Sequence, residues 1–271
     1  YIKDRLAGFG GESNSFVYQD VAEFPKMAER VFNDPGRSRR KTPGCNAEIS
    51  VSDRDAAVTD TKNLLAATKD TGVTGKFLTG ASPGVISLFF ANTHYPDFET
   101  YIFAIADAMR YEYETVTKAG IMLQLDCPDL GMGRHIQYAD LTLVDFRKRA
   151  ELHVEALNYA LANVPKDMVR IHLCWGNYEG PHHCDVPLRD VIDIAFKANV
   201  SGISFEAANP RHAHEYKLFE AGARAPLADD QILVAGVIDT TTNYVEHPEV
   251  VADRIERIAH ALGDPSRVLA G

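Results

Sequence analysis

Cysteine is scarce. The 271 residues hold four, Cys45, Cys127, Cys174 and Cys184, without the spacing of a disulfide framework. That excludes a disulfide-stapled fold and fits a reducing cytosol, where thiols are metal ligands or small core side chains. No run of about eighteen apolar residues is present, so no membrane-spanning helix is expected. No signal peptide is visible either, and a cytoplasmic location is the expectation. There is no G-x-G-x-x-G after the first strand and no Walker loop, which takes support from the nucleotide-binding α/β folds. Positive charge is short as well. The net charge is −10, from 28 Lys and Arg against 38 Asp and Glu, and a nucleic-acid partner is not expected on such a surface. The one dense basic run, 37–41, reads as a solvated loop, with an anion contact as the lesser option.

What is present, from residue 76 onward, is a rhythm. Short apolar strands over 76–81, 121–126, 168–174, 201–206, 231–239 and 267–270 alternate with helices over 97–118, 145–162, 191–198, 213–222 and 248–262. The helix at 97–118 carries Phe98, Ile102, Ile105, Met109 and Val116 on one face, and that at 145–162 carries Phe146, Ala150, Val154, Leu157 and Leu161. Gly263 reads as the C-cap of the last helix. Before residue 76 the pattern is poorer. Gly8 to Asn14 reads as a flexible loop, helical spacing runs over 17–32 with Pro25 interrupting it, 45–51 suggests a short strand, and Asp60 a cap for a helix ending at Lys69. Ser82-Pro83-Gly84 reads as a loop.

Strands in β-α order mean a parallel sheet covered by helices. Thr79, Asp126, Cys127, His172, Cys174, Glu206 and Asp239 all fall at strand ends. A (β/α)8 barrel gathers its reactive residues there, so the α/β class is narrowed to that barrel. The chain begins at Tyr1 and stops at Gly271 directly after an apolar run. It is therefore expected to be part of a longer barrel, lacking the first two strands and the end of the last. Residues 1–271 would form a single barrel domain, with 7–70 an irregular excursion before the third strand.

The chemistry centres on Arg170-Ile171-His172-Leu173-Cys174-Trp175-Gly176-Asn177-Tyr178. His172 and Cys174 are two apart, so on a strand they point the same way. An imidazole and a thiol side by side make half of a tetrahedral zinc site; the plainer reading is a core histidine and a small buried thiol. Glu206 ends the next strand, close to 5 Å away, and is the expected third ligand; capping the following helix or pairing with Arg211 is the alternative. His182, His183 and Cys184 lie in the loop after the key strand, and adjacent residues do not readily share one centre. Cys127 is a lesser ligand candidate and Cys45 incidental. His212 and His214 read as surface residues at a helix start.

These residues carry a resemblance. Ile171-His172-Leu173-Cys174, the strand ending in Glu206, Gly236-Val237-Ile238-Asp239 and Leu123-Gln124-Leu125-Asp126 resemble the C-terminal catalytic domain of cobalamin-independent methionine synthase. The segment 172–188 is similar to that family's single-domain relatives, among them the zinc-dependent epoxyalkane:coenzyme M transferases. The resemblance covers about 75–271. It implies a zinc-dependent methyl- or alkyltransferase, with Zn2+ held at the barrel mouth by His172, Cys174, Glu206 and a further Cys after Gly271. The partners it implies are a small-molecule thiol such as homocysteine and a donor such as 5-methyltetrahydrofolate, as in methionine biosynthesis. Asp126 would bind the amino group of the thiol substrate, and Asp239 and Thr241 would face the substrate. There are two departures. Thr241 stands where the family has a proton-donating His, and Cys127 where it has a Glu. A threonine hydroxyl is a poor acid, so the proton donor is sought among Tyr178, His182 and His183. The alternatives are an epoxide-opening transferase on the same zinc and a non-catalytic barrel that binds a small thiol or folate.

Overall fold

The computed structural model describes residues 1–13, 18–32, 42–221 and 227–271; the basic run 37–41 lies outside them. Six parallel strands form one sheet: β3 (Phe77–Ala81), β4 (Met122–Asp126), β5 (Val169–His172), β6 (Gly202–Glu206), β7 (Ile232–Gly236) and β8 (Val268–Ala270), side by side in chain order. An antiparallel pair, β1 (Leu6–Ser13) and β2 (Thr42–Val51), precedes them. The helices are α1 (Ile2–Arg5), α2 (Gln19–Ala22), α3 (Pro25–Phe32), α4 (Arg54–Thr68), α5 (Pro83–Phe89), α6 (Phe98–Lys118), α7 (Leu143–Ala160), α8 (Ile192–Ala195) and α9 (Pro248–Leu262). Sequential parallel order with crossovers between neighbours is the arrangement that curls into a barrel. Among the described residues no helix is long and apolar enough to cross a membrane.

The sheet has two unlike faces because side chains alternate along a strand. Leu123 and Leu125, Val169 and Ile171, Ile203 and Phe205 are buried under the helices. The intervening residues, Gln124 and Asp126, Arg170 and His172, Ser204 and Glu206, are only half-buried. Arg170 there donates to Gln124 (2.7 Å) and lies over the Phe77 ring. On the helix side, Ile102, Ile105, Met109 and Val116 of α6 pack with Phe146, Ala150, Val154 and Leu157 of α7 in the core, as the apolar stripes anticipate. Each such side chain contributes about 1.5–3 kcal/mol of burial.

Several local expectations change. Residues 8–13 belong to β1, not to a loop: Phe9 pairs with Cys45 across the ladder and its ring rests on Phe90, centroids 4.8 Å apart. Glycine-rich composition hides a strand whose register is set by its partner. Asp53, not Asp60, caps α4, accepting from the Ala56 N–H (3.0 Å); Asp60 lies inside the helix and pairs with Arg5, which also reaches Glu112 at 2.8 Å. Residues 215–219 form a 3-10 turn in place of the expected helix.

Ser82-Pro83-Gly84 opens α5 rather than forming a loop. Ser82 accepts from the Val85 N–H (3.0 Å) and Pro83 takes the first helical position, where its missing donor costs nothing. The buried Asp129 carboxylate rests on this helix start, bonded to Ser82 Oγ (3.2 Å) and His153 Nδ1 (2.9 Å). A Cβ on Gly84 would lie 2.0 Å from Asp129 Oδ2. Gly84→Ala is therefore expected to destabilise the fold by about 1–3 kcal/mol through overpacking. Urea unfolding checks this; a variant as stable as wild type would mean that Asp129 moves aside freely.

Candidate functional site

Three neighbouring strands deliver their ends to one place, and register sets which side chains meet. Asp126 lies beside His172 across β4 and β5, and His172 beside Ser204 across β5 and β6. That second pairing puts His172 Nδ1 3.3 Å from the Ser204 hydroxyl. Its Nε2 has no hydrogen bond among the described residues, the arrangement that fixes a ligating histidine. Cys174 follows two residues after β5. Gly176, at φ +103°, turns the chain back so that its N–H donates to Cys174 Sγ (3.2 Å); a positive φ of this kind favours glycine. Glu206 ends β6. Its Oε1 accepts from the Ala208 and Asn209 N–H groups (2.8 and 3.0 Å), leaving Oε2 without a partner among the described residues.

His172, Cys174 and Glu206 line one pocket of about 120 Å³, together with His182, His212 and Thr241. Such a volume holds about four waters, room for an ion and a small group. His182 and Thr241 also line a broader cleft of about 400 Å³, which Asp239 and Arg211 join. A separate cleft of about 350 Å³ by Arg147 and Asp193 carries none of the expected site residues.

Burial governs the electrostatics. It lowers the His172 pKa, against the opposing fields of Asp126 and Glu206, and so favours the neutral ring that a metal requires. It raises the Cys174 thiol; the Gly176 N–H opposes that rise, while Asp126, Glu206 and Asp185 add to it. Asp126 is likewise raised by burial, with His172 opposing. The donor set of nitrogen, sulfur and carboxylate oxygen suits zinc. Their ligand atoms share the pocket without closing on one another: among the described residues, the one such trio whose ligand atoms all lie within 4.8 Å is Glu23, His183 and Cys184. Cys45 and Cys127 are buried in the core, away from the pocket lining.

The three proton-donor candidates separate. Tyr178 donates its hydroxyl to the buried Asp20, and burial with that bond raises its pKa. His183 faces outward to Glu23. Of the three, His182 alone lines the 120 Å³ pocket. It is the one non-glycine residue at positive φ among the described residues, 53°, and its ring bonds Asp185 Oδ2 (2.8 Å) and the Tyr178 carbonyl (3.0 Å). Burial opposes its charge, but the Asp185 bond and field outweigh that and raise its pKa. Thr241 donates to Asp239 Oδ1 through both its N–H (2.9 Å) and its hydroxyl (2.6 Å).

His212 corrects the surface reading: it is buried beneath Trp175, ring centroids 4.2 Å apart. Its ring bridges Asp185 Oδ2 (2.9 Å) and Glu215 Oε2 (2.8 Å). These bonds overcome the burial penalty and push its pKa up to about 9. His135 adds a third ring, 3.2 Å from Asp185 Oδ1. Sequence reading missed this network, although His182–Asp185 and His212–Glu215 share an i,i+3 spacing.

No protein-family model matches the chain, and no curated protein matches it. Among solved structures, the fold is similar to that of a B12-independent methionine synthase from Shewanella sp. W3-18-1, solved in complex with selenomethionine. The TM-score is 0.68 at 16% sequence identity, over 99% of this chain and 69% of that one. At that identity the likeness establishes the fold: an α/β chain whose six-stranded parallel sheet follows the barrel of that enzyme.

Proposed function

We propose that this chain is a zinc-dependent S-methyl- or S-alkyltransferase acting on a small thiol. One observation carries the reading: His172, Cys174 and Glu206, from adjacent strand ends, open on a single small pocket that shares His182, Asn209 and Thr241 with a broader cleft. Bound zinc supplies a Lewis acid that holds a substrate sulfur as thiolate near neutral pH. His172 Nε2, Cys174 Sγ and the free Glu206 oxygen would hold it.

The remaining work falls to the chain. The inner pocket positions the thiol, and the outer cleft has room for the donor. As the sulfur bonds to the donor carbon, the bond from that carbon to its leaving atom breaks, and the leaving atom takes a proton. His182 lines both spaces, and its Asp185 partner raises its pKa; it is the acid placed to give the proton once its Nε2 turns from the Tyr178 carbonyl. The fold likeness to a methionine synthase makes homocysteine, ahead of a sulfonate such as coenzyme M, the thiol to assay first. A donor of the 5-methyltetrahydrofolate type is the matching partner.

The test has two stages. His172→Ala and Cys174→Ser are each expected to lower zinc by one equivalent per chain, by elemental analysis after gel filtration, with circular dichroism unchanged. Zinc equal to wild type in both variants would sink the metal site. Homocysteine with 5-methyltetrahydrofolate is then assayed against coenzyme M with epoxypropane. Turnover of the second pair alone would reassign the substrates, and zinc binding with no turnover of either would favour a binding barrel.

A further inference from the structure

The run His182-His183-Cys184 splits in two. The left-handed backbone at His182 sends its ring inward to Asp185, and the next two side chains meet Glu23, the C-cap residue just after α2. His183 Nε2 lies 2.8 Å from Glu23 Oε2, and Cys184 Sγ lies 3.7 Å from Glu23 Oε1. All three ligand atoms fall within 4.8 Å of one another. We infer that Glu23, His183 and Cys184 form a second divalent-metal site of zinc type, outside the thiol pocket, that clasps α2 to the loop carrying His182.

The geometry is close to what such an ion requires. Zinc–ligand bonds of about 2.0–2.3 Å place tetrahedral ligands roughly 3.3–3.8 Å apart. Cys184 Sγ already lies at that length from Glu23 Oε1, and His183 Nε2 is about half an ångström short of it from Glu23 Oε2, so a turn of the carboxylate has to present one oxygen to both. Nitrogen, thiolate and carboxylate together select zinc or cobalt over magnesium or calcium, which prefer all-oxygen shells. Three protein ligands leave a fourth position for water.

The two segments are held in register without the ion. Asp20 of α2 accepts from the Tyr178 hydroxyl and from the His182 N–H (3.1 Å), so Glu23 is carried to the loop by contacts that do not involve the three donors. Arg211 donates to the His183 carbonyl (3.1 Å), and the Phe24 ring stands edge-on to the His183 ring. Glu23 and His183 are exposed and Cys184 half-buried, so an ion enters from solvent with no unfolding. Because the same loop supplies His182 and Asn177 to the inner pocket, the clasp would fix one wall of that pocket.

Cobalt(II) titration of the whole chain, followed by the near-ultraviolet thiolate-to-cobalt band, tests this without turnover. Cys174→Ser is expected to retain one equivalent showing the band. Adding Cys184→Ser or His183→Ala to that variant should abolish it, and Cys184→Ser alone should lose one equivalent relative to wild type. All three positions are altered without a change in core packing, which circular dichroism verifies. Absence of the band in Cys174→Ser, or its persistence after Cys184→Ser is added, would overturn the second site. Failure of the inner site gives a different pattern: Cys174→Ser then titrates as wild type while Cys184→Ser still loses its equivalent.

Discussion

Asp185→Asn is expected to cost the fold about 3–5 kcal/mol at pH 6, a large share of the 5–15 kcal/mol typical of a domain. The carboxylate is buried and bonds two rings, His182 and His212, through Oδ2, while His135 lies 3.2 Å from Oδ1 without a hydrogen bond. Asparagine keeps its size but strands two protonated imidazoles with one anion fewer. The sign of the pH dependence follows from the shifts. The His212 pKa is raised to about 9 from its ordinary 6.5, so its contribution is fully present below 6.5 and is lost as pH rises through 9. Two and a half pH units correspond to something on the order of 3 kcal/mol. Asp185 has the opposite sense. Burial opposes its ionisation, but the His182 and His212 bonds hold its pKa below the usual 3.8, so its contribution is lost only in acid. Wild type should therefore lose stability from pH 6.5 upward through 9. The deficit of Asp185→Asn should be widest near pH 6 and narrow toward pH 10, as the histidines shed the charge that the variant strands. Urea midpoints across that range decide it; a deficit below about 1 kcal/mol, or one flat with pH, would show the network to be solvated rather than buried.

Much of the sheet was legible because each parallel strand is a short apolar run with its own helix behind it. From residue 76 onward, strand order and the two long helices follow from hydrophobic period alone. The H-x-C pair was legible for the same reason: alternation along a strand leaves little freedom over which way two such residues point. What stayed hidden depends on contacts distant in sequence. β1 is a strand because β2 pairs with it, while its own glycines argue for a loop. His212 is a core residue because Asp185, 27 positions earlier, takes one of its ring nitrogens. Nor does sequence spacing show that His182 turns inward and His183 outward, since that depends on one backbone angle. Ser82-Pro83 is the case where the signal was local and available: serine followed by proline is a helix start, and the glycine after it suggested a loop instead.

The pH profile of Cys174→Ser gives the strongest test of the proposed chemistry. At pH 7 the variant is expected to alkylate its thiol substrate at least about thirtyfold more slowly than wild type, because a free thiol of pKa about 8.5 is only about 3% ionised there. A sulfur held as thiolate in the pocket owes nothing to bulk pH, so the wild-type rate should show no rise between pH 7 and 9, and it falls where the acid His182 loses its proton. The residual rate of the variant should climb close to tenfold per pH unit until the free thiol ionises. A thiolate of lowered pKa is also a weaker nucleophile, which trims the gain from ionisation. Placement against the donor works the other way and deepens the loss when the sulfur is no longer fixed. The two outcomes differ in slope as well as in size, and slope does not depend on how much active protein is present. A variant that, like wild type, shows no rise would mean that Cys174 leaves the ionisation of the substrate untouched. The thiol would then have to be activated by a base, and His172, whose pKa burial lowers, is the side chain in the pocket suited to accept its proton.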